Sequence, residues 1–131
     1  MGRAGFGADL LGEITGVCEQ NSISLGRVQA IGAVQKAVVG FYNQEKREYA
    51  FQTLDTPLEI LNLSGNVSLK DGQPFVHAHI TLADERGRAF GGHLAEGTIV
   101  FACEFEVRVF TGREYKRTFD RETDLALWDL G

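Results

Sequence analysis

Residues 58–83 read Leu58-Glu-Ile-Leu-Asn-Leu-Ser-Gly-Asn-Val-Ser-Leu69, Lys70-Asp-Gly-Gln-Pro74, Phe75-Val-His-Ala-His-Ile-Thr-Leu-Ala83. The first part has two faces. Leu61, Leu63, Val67 and Leu69 share one side and Asn62, Ser64, Asn66 and Ser68 the other, which predicts a half-buried strand. Asp71-Gly72, at the centre of the turn residues, predicts a hairpin into the third part. There Val76, Ala78, Ile80 and Leu82 are uniformly apolar and face a core. Phe75, His77, His79 and Thr81 therefore project from the opposite face.

Outward from this hairpin the pattern stays mainly β. Ala8 to Gln20 reads as a helix, with Leu10, Leu11, Ile14, Val17 and Cys18 recurring every three or four residues. Asp9 near its start suits the positive end of the helix dipole. Gly12 and Gly16 cost helix propensity but would let another backbone come close. Gly26–Val34 and Lys36–Tyr42 read as two strands separated around Ala33-Val34-Gln35, and Arg47–Leu54 as another, ended by Thr56-Pro57. A loop, Asp84 to Leu94, precedes a long strand, Thr98–Thr111. On that strand Ile99, Phe101, Cys103, Phe105, Val107 and Val109 form one face, and Glu104, Glu106 and Arg108 share the other with Val100 and Ala102. A turn at Thr111-Gly112-Arg113 leads to Glu114–Phe119, and Leu125–Trp128 closes the chain. The expectation is an α+β fold: a predominantly antiparallel β-sheet of about seven strands in meander order with one N-terminal helix packed on it.

The 131 residues make one domain, 1–131, long enough for an ordinary core. No linker, repeat or charge block divides it, and no apolar run is long enough to span a membrane. No apolar segment of signal-peptide type follows the N-terminus. Cys18 and Cys103 stand far apart without Cys-x-x-Cys spacing, so they read as buried thiols in a reducing, cytoplasmic setting. With 13 Lys and Arg against 18 Asp and Glu the net charge is −5. A phosphate-neutralising protein carries the opposite surplus.

All three histidines fall between positions 77 and 93. His77 and His79, two apart on a strand, point the same way with side chains roughly 7 Å apart, a spacing that can share a metal ion. His93 follows Gly91-Gly92, and a diglycine lets a loop fold back to bring the third imidazole over the first two. Three imidazoles plus water is an open arrangement for zinc and for other borderline divalent metals. Glu104 or Glu106 is the candidate fourth ligand, supporting carboxylate or general base. Against this stands the plainer reading of a His-x-His pair as two histidines on a polar face.

At these residues the sequence resembles the PPC domain ("plants and prokaryotes conserved"), also called domain of unknown function 296. His77-Ala-His79-Ile-Thr-Leu, Gly91-Gly92-His93-Leu94 and the Glu-bearing strand after them carry the likeness. Leu25-Gly-Arg-Val-Gln-Ala-Ile-Gly-Ala-Val34, Leu58–Ser68 and the tail Arg117–Trp128 extend it to about Gly7–Trp128. The resemblance implies a small α+β domain that assembles as a homotrimer, with a divalent metal on His77, His79 and His93 in stand-alone prokaryotic members. It also implies a DNA-binding label, and plant relatives join the domain to AT-hooks. Family members begin with a strand before the helix; here only Met1–Phe6 precede it, so that strand is short or absent.

Three functions remain: a metal-binding trimer, a DNA-binding regulator and an oligomerisation module. Three such chains would carry about −15, which repels a duplex unless basic residues gather on one face. Arg108, Arg113, Lys116, Arg117 and Arg121 gather near the C-terminus, but Glu106, Glu114, Asp120 and Glu122 are interleaved. Arg86-Gly87-Arg88 copies the core of an AT-hook, yet Ala89 stands where the hook has proline and Asp84 and Glu85 flank it. No acyl-transfer, P-loop or dinucleotide motif is present. Any enzymatic chemistry would come from a metal-activated water with Glu104 or Glu106 as base.

Overall fold

The computed structural model describes residues 1–131. Strand β1 (Gly2–Ala4) precedes helix α1 (Leu10–Gln20). Then follow β2 (Gly26–Asn43), β3 (Glu48–Leu54), β4 (Leu58–Lys70), β5 (Gln73–Ala83), β6 (Ala89–Leu94), β7 (Ile99–Val109), β8 (Lys116–Asp120) and β9 (Leu125–Trp128). The class is as expected, one helix on a sheet that is antiparallel except where β4 meets β8. The sheet has nine strands rather than about seven, and their order, β1-β7-β2-β6-β5-β4-β8-β9 with β3 beside β2, is not the expected meander. The additions are the short β1, whose presence the sequence left open, and β6, read above as loop.

Asp71 and Gly72 both take positive φ, 52° and 79°, as a two-residue hairpin turn requires. From there β4 and β5 pair from Lys70–Gln73 to Glu59–Ala83. The two predicted strands between Gly26 and Tyr42 are one 18-residue strand, β2, around which the sheet is built. Its first half lies between β4 and β7, and its second half between β3 and β6. Because β4 pairs β5, β5 pairs β6 and β6 returns to β2, these four strands close a ring.

Bulges correct two of the predicted faces. On β4 the register slips at Leu61, which is 52% exposed while Ile60 goes inside. On β7 the slip falls at Phe101, which is 58% exposed while Val100 is fully buried. One inserted residue turns over every side chain on one side of it, so strict alternation fails across each bulge.

Asp9 caps α1: one carboxylate oxygen accepts from the Gly12 N–H at 2.8 Å, the other from the Gly97 N–H at 2.6 Å. Leu10, Ile14 and Cys18 bury the helix stripe in a 22-residue core with Val28, Leu63, Ile80, Leu82, Leu94 and Val100. No backbone approaches Gly12 or Gly16, contrary to the expectation of tight packing there. A methyl at Gly12 would meet only the Asp9 side chain, and one at Gly16 nothing. Cys18 and Cys103 are free and buried, and burial raises both thiols to about 11, so they behave as small apolar side chains. No helix is long and apolar enough to cross a membrane.

Candidate metal centre

Val76, Ala78, Ile80 and Leu82 face the core as predicted, which turns His77 and His79 outward on β5. His93 arrives by a different route from the one expected. It sits on β6, paired with His79 on one side and Gly40 on the other. The diglycine serves this strand rather than a folded-back loop. A Cβ on Gly91 would stand 2.0 Å from the Ile80 carbonyl oxygen, and one on Gly92 would stand 2.6 Å from that of Gly40. Only glycines let β6 wedge between β5 and β2 that closely, and the wedge sets His93 beside His79.

The three imidazoles form one cluster, with ring centroids 5.0–5.6 Å apart and one nitrogen of each within 4.8 Å of the others. His77 and His93 are half-buried, and His79 is exposed. Tyr49, on β3, packs against His93 with centroids 5.0 Å apart. Burial, then the nearby His93, Arg117 and His79, pushes His77 down to about 4. Burial, then His79 and Arg117, also lowers His93. These two rings are therefore neutral at neutral pH, the form that ligates metal.

The residues fit a metal on one further observation. His93 Nδ1 is buried without a hydrogen-bond partner, an unmet polar group of the kind a metal bond would satisfy. Three imidazoles would hold a divalent ion with at least one position open.

Glu104 and Glu106 lie elsewhere on the same outer face. Register runs Glu106–Gln29–Ser64–His79, three inter-strand steps or roughly 14 Å. Glu104 pairs with Arg3 and Ile31. Within one chain the ligand-type cluster consists of His77, His79 and His93 alone.

The C-terminal hairpin of β8 and β9, whose basic residues read as mixed surface, covers part of the triad face. Arg117 donates from Nε to Ser68 Oγ, from Nη1 to the Ala126 carbonyl and from Nη2 to Asn66 Oδ1, each at 2.9 Å. Its guanidinium lies over the rings of Phe75 and Trp128, at 5.2 and 5.8 Å. Beyond it, Tyr42 donates its hydroxyl to the Thr123 carbonyl, and Arg47 pairs with Asp124 at 3.5 Å. The available signal was the polar side of β4: Asn66 and Ser68 needed a partner, but nothing local says which arginine supplies it. The AT-hook-like Arg88 is also engaged, its guanidinium on Asp84 at 2.7 Å.

The chain matches the Plants and Prokaryotes Conserved (PCC) domain over residues 1–111. Among solved structures, a metal-containing protein from Archaeoglobus fulgidus is 47% identical with a TM-score of 0.91, over 96% of this chain and 89% of that one. A plant- and prokaryote-conserved protein of Pyrococcus horikoshii is 38% identical with a TM-score of 0.92, over 98% and 88%. A protein of Bacteroides thetaiotaomicron, provisionally described as DNA-binding, is 27% identical with a TM-score of 0.91, over 97% and 88%. The bifunctional protein GlmU of Synechococcus sp. (strain JA-2-3B'a(2-13)) is 34% identical over 121 residues, and the chain spans only 17% of its length. On the domain match, and on a fold and sequence shared with these relatives, the chain belongs to the Plants and Prokaryotes Conserved domain family.

Proposed function

We propose that this protein is a homotrimeric, cytoplasmic metal-binding domain in which His77, His79 and His93 hold one divalent ion, zinc by preference. The single observation that carries the reading is the convergence of the chain's whole histidine complement, with ligand nitrogens within 4.8 Å and His93 Nδ1 buried and unpartnered. The similarity to a metal-containing archaeal protein supports it. Assembly is supported by the outer side of the sheet, where Phe6, Ile31, Leu61 and Phe101 are each more than half exposed.

When bound, the ion would supply Lewis acidity at its open position. The chain's own contribution is to keep the His77 and His93 rings neutral and half-desolvated and to fix His93 by strand pairing on both sides. Proton transfer from a bound water to Glu104 or Glu106 would need those carboxylates to come from a neighbouring subunit.

DNA binding is the second reading, favoured by the description of the Bacteroides relative. The −5 charge and the closed Asp84–Arg88 turn weigh against it. The deciding experiment measures metal content and light-scattering mass on one tag-free sample. One divalent ion per chain and three times 14.4 kDa are expected. The variant His79→Ala should lose most of the metal and keep its circular dichroism, because that side chain is exposed. Metal-free wild-type protein after zinc dialysis at neutral pH would sink the site. Duplex binding that weakens steeply with salt would favour the second reading.

A further inference from the structure

The ground around the triad carries positive charge without a partner. Arg117 is half-buried over the triad face, yet no carboxylate pairs with it: its three hydrogen bonds go to an amide, a hydroxyl and a carbonyl. A guanidinium has five N–H donors, so two remain free. Its placement beside the triad follows from register. Asn66, which accepts from Nη2, is the cross-strand partner of His77, and Phe75, under the guanidinium, is two residues before His77 on the same face. On the other side of Asn66 the register partner is Arg27. The nearest acidic residue along these rows, Glu106, is three strands from His79 and already lies 3.9 Å from Arg108. A divalent ion on three neutral imidazoles would bring the charge of the site, with Arg117, to about +3, with no carboxylate paired to that arginine and none nearer than Glu106 along these rows.

We propose that the triad and Arg117 together form a binding site for an oxyanion, a carboxylate or phosphate group that occupies the open metal position and takes the free guanidinium donors. The inference rests on the metal reading above and adds the class of ligand. It also gives the C-terminal hairpin a purpose besides packing. The hairpin carries one half-buried, fixed cation to a face whose own strands supply imidazole, amide and hydroxyl groups and, as cations, only the exposed Arg27 and Lys70. Phe75 and Trp128 on the guanidinium, together with its three hydrogen bonds, hold that cation in place before any ligand arrives, so little side-chain freedom is lost on binding.

The test uses the full chain, stripped of metal and reloaded with Co²⁺, whose visible spectrum reports the ligands on the ion. Inorganic phosphate and acetate are titrated separately into wild type, R117K and R117Q. At least one anion should alter the cobalt spectrum of wild type at saturable concentration. R117Q should bind it about tenfold more weakly, the loss of roughly one charged hydrogen bond, while still taking up one Co²⁺ per chain. R117K should recover part of the difference, and Trp128 fluorescence should confirm that the hairpin of each variant stays seated. Response to phosphate alone, or to acetate alone, names the class of anion. Cobalt uptake with no response to either anion overturns the proposal, as does equal anion affinity in wild type and R117Q. Failure to take up cobalt overturns the metal reading, and this proposal with it.

Discussion

The outer face of the sheet carries two polar regions built from the same pattern, and only one has the makings of a site. Over β5 and β6 stand His77, His79 and His93; over β7 stand Glu104, Glu106 and Arg108. Both sets arise from period-two alternation opposite a buried apolar row, and Glu106 and His79 even share a cross-strand row. The difference is cover. The β8–β9 hairpin and Tyr49 partly desolvate His77 and His93, whereas Glu104 and Arg108 are exposed and the Arg108–Glu106 pair sits at 3.9 Å on the surface. Alternation makes a polar face. A second layer of chain makes it a site, because burial holds imidazoles neutral and strengthens charge that water would otherwise screen.

The largest blow to the histidine side should come from a methyl group. Gly91→Ala places a Cβ on the Ile80 carbonyl, forces β6 off β5 and moves His93 with it. A loss of about 3 kcal/mol is expected, lowering Tm by roughly 10 °C, with weaker metal binding besides. Gly16→Ala is the control, since nothing lies within 4 Å of its position and the helix should gain up to about 1 kcal/mol. Paired thermal melts check both, and an unchanged Tm for Gly91→Ala would mean that β6 does not need its close approach.

How much of this was legible follows the same line. The Asp71-Gly72 hairpin, the helix stripe and the outward histidines of β5 are local, and local pattern reached them. Leu61 and Phe101 were misplaced because a bulge costs no distinctive residue, and β6 was missed because Gly91-Gly92 reads as loop when the demand for glycine comes from backbones on either side. Arg117 was visible as a residue but not as a neighbour of the triad. Its partners Asn66 and Ser68 lie 51 and 49 positions away, and only the parallel contact of β8 with β4 joins them.

Acid should separate the two regions next. In metal-free protein His77 is held at about 4 against an ordinary 6.5, so between those values the unfolded chain binds a proton that the folded chain does not. Stability is therefore present in full above about pH 6.5 and lost as pH falls toward 4, and because the ring is only half-buried, solvent screening holds that loss to about 1–2 kcal/mol. The lowered His93 adds in the same direction. Denaturant midpoints at pH 7.5, 5.5 and 4 should show the decline, and His77→Gln should flatten it. An equal slope in the variant would assign the acid sensitivity to the carboxylates instead.

The smallest effect should come from the glutamates, and it tests whether cover is the real distinction. Glu106→Gln removes a carboxylate on the same cross-strand row as His79 but roughly 14 Å away, across solvent-facing side chains. At that distance, and beyond a Debye length in ordinary salt, its charge should barely reach the metal. Zinc affinity in an isolated chain should change less than twofold, and stability by no more than about 0.5 kcal/mol, the worth of a surface pair. An assembly brings a further possibility into the same measurement. If affinity falls severalfold only at protein concentrations where light scattering finds trimer, the carboxylate reaches the triad of a neighbouring subunit, and the two regions form one site across the interface. If affinity falls equally at every concentration, coupling runs through the sheet within a single chain, and cover is not what distinguishes the two faces.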